Sequence, residues 1–256
     1  LFFLSNGHIS PVWYSVLARA GYFPVAELGT FRKLSARLQG HPSTDKGLPG
    51  IRMASGSLGQ GLSVGVGAAQ VKKLNNDPSI VYTLHGDGEL QEGQIWESLP
   101  GAARDNLNEI TIVVDANEIQ SDTWVAKTSP LGDLRSRVEG CGWQFLECDG
   151  HSLDSLGSVL TRKQSVPTFI VADTVKGAGI NSMMAFATEG KFYKFHSGSL
   201  DDSNYNSSIK ELLLRMGRQI PPNQQFASGV ELNFESDNAP KSRPESLVTS
   251  WSKLLS

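Results

Sequence analysis

Residues 80–122, IVYTLHGDGELQEGQIWESLPGAARDNLNEITIVVDANEIQSD, decide the fold. A short apolar run, 80–84, leads to Gly86-Asp87-Gly88. A second, 109–114, leads to Asp115-Ala116-Asn117. Between them, about 91–104, apolar residues recur at helical spacing. Strand, helix, strand is a crossover unit, and its right-handed form brings both carboxyl ends to one sheet edge. If the two strands are adjacent they lie ~4.8 Å apart, and Asp87 and Asn117 then aim a carboxylate and an amide oxygen at one point. Hard oxygen ligands suit Mg²⁺ or Ca²⁺, and Mg²⁺ bound to phosphates needs few protein ligands. Gly86 and Gly88 let the backbone approach an anion, and the next helix presents its N-terminus to a diphosphate. Gly-Asp-Gly alone would be only a turn; its place between two apolar strands favours a metal–diphosphate site.

The same alternation extends over residues 1–220. Leu1-Phe2-Phe3-Leu4 reads as a buried strand already under way. Ser10-Pro11 starts a helix that Gly21 ends. Pro24 starts another, to about Arg37. Residues 40–56 are Gly/Pro-rich loop. A small-residue helix covers 57–74, where Gly61, Gly65 and Gly67 predict close packing. Then follow a helix at about 131–139, a strand at 143–148, a helix at 152–162 and a strand at 168–173. The strands are short and apolar, as when helices cover both faces. The class is α/β with a doubly wound, mostly parallel sheet flanked by helices. Residues 221–246, rich in Pro, Asn, Ser and Gln, read as a linker. Residues 247–256 read as the first helix of a second domain that is missing here.

Composition bounds the function. Among 256 residues, 23 Lys+Arg against 26 Asp+Glu give a net charge of −3, so no basic excess favours nucleic acid. No run of 18 apolar residues suggests a membrane span. Two cysteines, Cys141 and Cys148, cannot build a disulfide scaffold, and they read as reduced thiols of a cytoplasmic protein.

Gly-Asp-Gly followed about thirty residues later by Asn is the thiamine-diphosphate signature, and the chain resembles the transketolase family. LSNGH at 4–8, GHP at 40–42, SGSLGQG at 55–61, GDGELQEG at 86–93 and DGH at 149–151 carry the resemblance in order, over residues 1 to about 200. It points to the thiamine-diphosphate-binding domain of the bacterial, N-terminal-subunit branch. The family performs transfer of a two-carbon ketol unit from a ketose phosphate to an aldose, in carbohydrate metabolism of the pentose phosphate type. The resemblance implies Mg²⁺, with Ca²⁺ or Mn²⁺ as substitutes, held by the side chains of Asp87 and Asn117 and the Ile119 carbonyl. It implies a homodimer with sugar-phosphate substrates. It also implies an aminopyrimidine-binding domain, in the same or a partner chain, that carries the glutamate needed to activate the cofactor. The fragment alone is expected to be inactive.

Further roles follow from the resemblance. Gly86, Gly88 and Asn117 touch the diphosphate. Gly56, Ser57 and Leu58 face the cofactor rings, with Ser57 where the family usually has Pro. Asp115 matches a position near the ring system, or simply caps a loop. His8 reaches the diphosphate and the substrate hydroxyl, and His41 binds donor-sugar hydroxyls, as a neutral imidazole with one donor and one acceptor can. Glu92 and Glu97 stand ~140° apart on a helix, which from spacing alone means surface charge. By resemblance they join an acidic network at the dimer seam. His196 matches a histidine near the diphosphate and substrate, in a segment that departs from the usual pattern. His85 reads as packing, His151 as a helix-start residue and Lys176 as a solvated charge or part of a glycine-rich family loop. Rival readings are 1-deoxyxylulose-5-phosphate synthase-like or 2-oxo-acid dehydrogenase-like activity, or a catalytically silent dimerisation domain.

Overall fold

The computed structural model describes residues 1–162, 164–184, 192–197 and 200–218. The expected linker and second-domain helix lie outside these. Among the described residues the strands are β1 Phe2–Leu4, β2 Val81–Gly86, β3 Ile110–Ala116, β4 Ile119–Gln120, β5 Thr123–Trp124, β6 Gln144–Asp149 and β7 Thr168–Asp173. The α-helices among them are α1 Ser10–Arg19, α2 Gln60–Leu74, α3 Gly93–Arg104, α4 Val125–Thr128, α5 Leu134–Gly140, α6 Leu153–Leu160 and α7 Asp202–Arg215.

Five strands form one parallel sheet in the order β1-β2-β3-β7-β6, and β4 with β5 makes a small antiparallel hairpin. The strand pattern explains the layers. Phe3, Thr83, Ile112, Phe169 and Phe145 share one row across the sheet and face one side. There they meet Leu62 of α2, Leu99 of α3 and Val138 of α5 in the main core. On the other side Cys148, Ile170 and Ala172 pack against Leu156, Val159 and Leu160 of α6. The sheet is therefore doubly wound. Central β7 is buried on both faces, whereas β2 alternates buried with half-buried residues. Strand order reverses between β3 and β7, the crevice where such sheets bind ligands.

The structure corrects several expected elements. No α-helix runs from Pro24 to Arg37; a 3₁₀ stretch covers Val25–Thr30. Arg32 and Ser35 have positive φ, which an α-helix excludes, and Phe31 and Leu38 turn back onto Tyr14 and Leu17 of α1. Helix α2 starts at Gln60, not residue 57, because Gly59 caps it at φ 82°. Gly65 behaves as expected, since a Cβ there would lie 2.5 Å from Thr83 Cγ2. Gly67 does not, because a Cβ there would meet nothing within 4 Å. The hairpin, α4 and α7 went unread: the hairpin strands are two residues long, too short for a period to show.

Candidate active site at the carboxyl edge of the sheet

Asp87 and the turn that carries Asn117 lie at the neighbouring carboxyl ends of β2 and β3. Gly86 pairs with Asp115 in the β2–β3 register, and the Asp87 amide donates to the Asp115 carbonyl at 3.2 Å. Asp87 is buried. Its Oδ1 accepts from the Gly88 amide at 2.7 Å and its Oδ2 from the Glu118 amide. Glu118 has φ 63°, so the chain turns through the left-handed region just after the amide that binds Asp87. Asn117 Oδ1 accepts from the Ile119 amide at 3.1 Å. Burial is the main cause that pushes the Asp87 pKa up to about 6, and the neighbouring Asp115 adds to it, against the pull of the Glu118 and Gly88 amides. A buried carboxylate this costly to ionise gains most from a cation.

Lys176 brings positive charge to this edge, a lesser influence on Asp87 than its burial and its amide donors. Its Nζ donates to the Ile119 carbonyl at 3.3 Å and stands 5.5 Å from the Tyr193 ring centre. Desolvation lowers its pKa, while Asp115 and Asp87 raise it. Lys176 is thus not a solvated surface charge, because its loop folds back over the strand ends. The Asp115 carboxylate accepts from the Thr174 hydroxyl beside it. All oxygens of the cluster are hard donors, and one already binds an ammonium, so the residues fit a hard divalent cation. Among the described residues, no group of three or more His, Cys, Asp or Glu could hold a metal. The buried Asn6 Oδ1 and Gln120 Oε1 lack hydrogen-bond partners. Asn6 lies beside Gly86, and Gln120 lies against Gly88. Both orphans therefore sit at this edge, as in a site built for a polar ligand.

The histidines converge from separate loops. His8 sits in the 3₁₀ turn Gly7–Ile9 after β1, and its ring centre is 5.6 Å from that of His196. Desolvation, then the charges of His196 and Lys176, lowers the His8 pKa; desolvation also lowers that of His196. The His41 ring packs on Gly56, where a Cβ would come within 2.8 Å of it. Its loop is tied down by Ser10 Oγ to the Gly40 carbonyl at 2.7 Å and the Ser55 amide to the Pro42 carbonyl at 3.1 Å. Gly56, Ser57 and Leu58 follow on the same rim. Glu92 and Glu97 are exposed; Glu92 lies against Gly59 and Glu97 near Gly93.

The amides of Gly86 and Gly88 do not both face outward. Gly86 donates to buried Glu89 at 3.2 Å, and Gly88 to Asp87. The sequence pattern does not single out Glu89, and it reads His85 as packing. The two form a buried pair, with His85 Nδ1 3.3 Å from Glu89 Oε1. Burial works to raise the Glu89 pKa, but His85, Ser5 and the Gly59 amide outweigh it and hold the carboxyl below its usual range. His85 lies near the end of strand β2 and Glu89 in the turn after it, so no helical period links them in the sequence. His151, read as a helix start, also accepts from the Val175 amide at 2.8 Å, next to Lys176.

The family model described as "Transketolase, thiamine diphosphate binding domain" matches residues 1–255. The chain is 35% identical over 212 residues to the 6-deoxy-6-sulfo-D-fructose transketolase subunit SqwG of Clostridium sp. (strain MSTE9), covering 82% of this chain and 74% of that protein. It is 37% identical over 183 residues to the transketolase of Homo sapiens, covering 71% of this chain but only 29% of that protein. It superposes with a TM-score of 0.75 on a transketolase mutant from Pichia stipitis in complex with fructose 6-phosphate, at 27% identity over 90% of this chain and 34% of that one. The chain thus spans about a third of full-length transketolases. The motifs, the parallel sheet and these likenesses agree: the chain belongs to the transketolase family and corresponds to its thiamine-diphosphate-binding domain.

Proposed function

We propose that this chain holds the diphosphate end of thiamine diphosphate in an enzyme that moves a two-carbon ketol unit from a ketose phosphate to an aldose. The observation that carries the reading is that the Asp87 carboxylate accepts from the amide of Glu118, in the same turn that carries the Asn117 amide oxygen and the Ile119 carbonyl. Those three would hold Mg²⁺, the hard cation that diphosphates favour. When bound, the cofactor supplies the nucleophilic carbon and electron sink that break and remake the bond beside the ketose carbonyl.

The chain's own residues bind and orient. Gly88, Asn117 and His8 would contact the diphosphate, with Gly86 shaping the turn. Asp115 and Lys176 set the charge around it, and Gly56, Ser57 and Leu58 would line the rings. His41 and His196 stand where sugar hydroxyls would enter, and a lowered pKa keeps His8 and His196 neutral near pH 7, each able to donate and accept one hydrogen bond. The chain would work with an aminopyrimidine-binding domain or subunit, in a homodimeric enzyme with Glu92 and Glu97 at the seam. The free cysteines suit a cytoplasmic setting.

Calorimetric titration of thiamine diphosphate with Mg²⁺ tests the reading, using the complete natural protein that contains this chain. Binding is expected to depend on Mg²⁺ and to collapse in Asp87→Ala. Unchanged affinity and unchanged Mg²⁺ dependence would remove the site.

A further inference from the structure

Glu89 is 2% exposed, yet three segments meet at its carboxylate. Oε1 accepts from the Gly59 amide at 2.8 Å and from the Ser5 hydroxyl. Oε2 accepts from the Gly86 amide at 3.2 Å. His85 Nδ1 stands 3.3 Å from Oε1, near enough for charge pairing though poorly aligned for a hydrogen bond, and its Nε2 pairs with the Thr83 hydroxyl at 2.9 Å. The Ser5 oxygen in turn accepts from the Gly61 amide at 3.2 Å. Ser5, His85 and Glu89 are all shut off from solvent, so whatever they do is done through their neighbours.

Those neighbours carry the site. Ser5 leads into Asn6-Gly7-His8, Gly59 closes the Gly56-Ser57-Leu58 loop, and Gly86 immediately precedes Asp87. We propose that Glu89 is a positioning residue: its buried carboxylate locks these three segments into one register, so that His8, the 56–58 loop and Asp87 face a common ligand. The inference rests on the diphosphate reading above.

The physical reason is the high cost of a buried charge left short of partners. A carboxylate inside a protein is tolerated only where its oxygens are bonded, so no one segment can drift without stranding it. An apolar side chain could fill the same space, but it would leave the Gly59 and Gly86 amides without acceptors. His85 Nδ1 faces the carboxylate from the strand beneath. One rigid group of two oxygens thereby couples the first strand's end, the entry to α2 and the metal-bearing turn.

The test is Glu89→Gln in the complete natural protein. Glutamine keeps the shape but replaces one acceptor oxygen by a donor, which then opposes an amide. Thiamine diphosphate affinity in Mg²⁺ is measured by calorimetry, melting temperature without cofactor in parallel, and donor KM at saturating cofactor. The expected result is a dissociation constant raised about ten- to hundredfold for the folded variant, with donor KM unchanged. A merely structural Glu89 would lower the melting temperature and the folded fraction while leaving the folded fraction's cofactor affinity where it was, and that result overturns the proposal. If Glu89→Gln does not fold, Ser5→Ala decides. It removes one donor to Glu89 and should weaken cofactor binding roughly three- to tenfold; unchanged affinity overturns the proposal. The unsubstituted protein separates the two readings. If it fails to bind thiamine diphosphate, the diphosphate reading falls and takes this one with it. If it binds and the variants bind equally well, only the role of Glu89 is lost.

Discussion

The ammonium of Lys176 sits 3.3 Å from the carbonyl oxygen of Ile119, with the carboxylates of Asp87 and Asp115 close enough to raise its proton affinity. A side chain from the loop after β7 thus supplies positive charge at the strand ends where a divalent cation would bind. The two cations then compete for one carbonyl, while both would attract a diphosphate.

Lys176→Met is therefore expected to act in opposite directions. Without cofactor, Mg²⁺ binding should tighten by roughly tenfold, because one nearby positive charge is gone. With cofactor, diphosphate binding should weaken, because the same charge is lost to the phosphates. Two calorimetric titrations check this. Unchanged Mg²⁺ affinity would show that the ammonium does not stand in the cation's place.

His8 should titrate below 6.5, first because its ring is desolvated and then because His196 and Lys176 repel its proton. Its folded pKa lies under the unfolded one, so the unfolded chain takes up the proton first. Stability from this group is full above 6.5 and is lost as pH falls through that value toward the folded pKa. Nuclear magnetic resonance of the imidazole Cε1–H reads the midpoint. Lys176→Met should move it upward without restoring 6.5, since desolvation, the larger cause, remains. A midpoint at or above 6.5 in the unsubstituted protein contradicts the geometry.

Two glycines of α2 should respond with opposite signs. A Cβ at Gly65 would lie 2.5 Å from Thr83 Cγ2 and 3.3 Å from Ile110 Cδ1, so Gly65→Ala must push the helix off the sheet. A loss of about 1–3 kcal/mol is expected. A Cβ at Gly67 meets nothing within 4 Å, so Gly67→Ala should gain roughly 0.5–1 kcal/mol from helix propensity. Urea unfolding of the two variants measures the difference, and equal effects would refute the packing.

His41→Ala is expected to spare cofactor affinity and damage donor handling. The ring packs on Gly56, on the rim. A lost hydroxyl contact raises the donor KM, and lowers kcat too if the contact strengthens in the transition state. Steady-state kinetics with a ketose-phosphate donor decide. Normal donor kinetics combined with lost cofactor affinity would reverse the assignment.

Chain order determines that Asp87 and Asn117 share one sheet edge. The strand–helix–strand pattern of 80–122 sets the hand, and the pairing of β2 with β3 makes the two strands neighbours, whereas the same pattern leaves β3 and β6 separated by β7. Gly65 announces close packing by its cost to a helix. The motifs name the family because each joins residues a few positions apart, and short-range patterns survive in a linear chain. The same locality misleads at Pro24–Arg37, where apolar residues mimic a helical period but turn back onto α1. Tertiary structure alone decides what lies between distant segments. Nothing in the chain order says that Lys176 reaches the Ile119 carbonyl, 57 residues away, or that the Ser5 hydroxyl meets Glu89 across 84 residues. Periodicity reports which face of an element is buried, not which buried polar groups find each other. That pairing is chosen only when the sheet is assembled and every enclosed donor and acceptor must be satisfied.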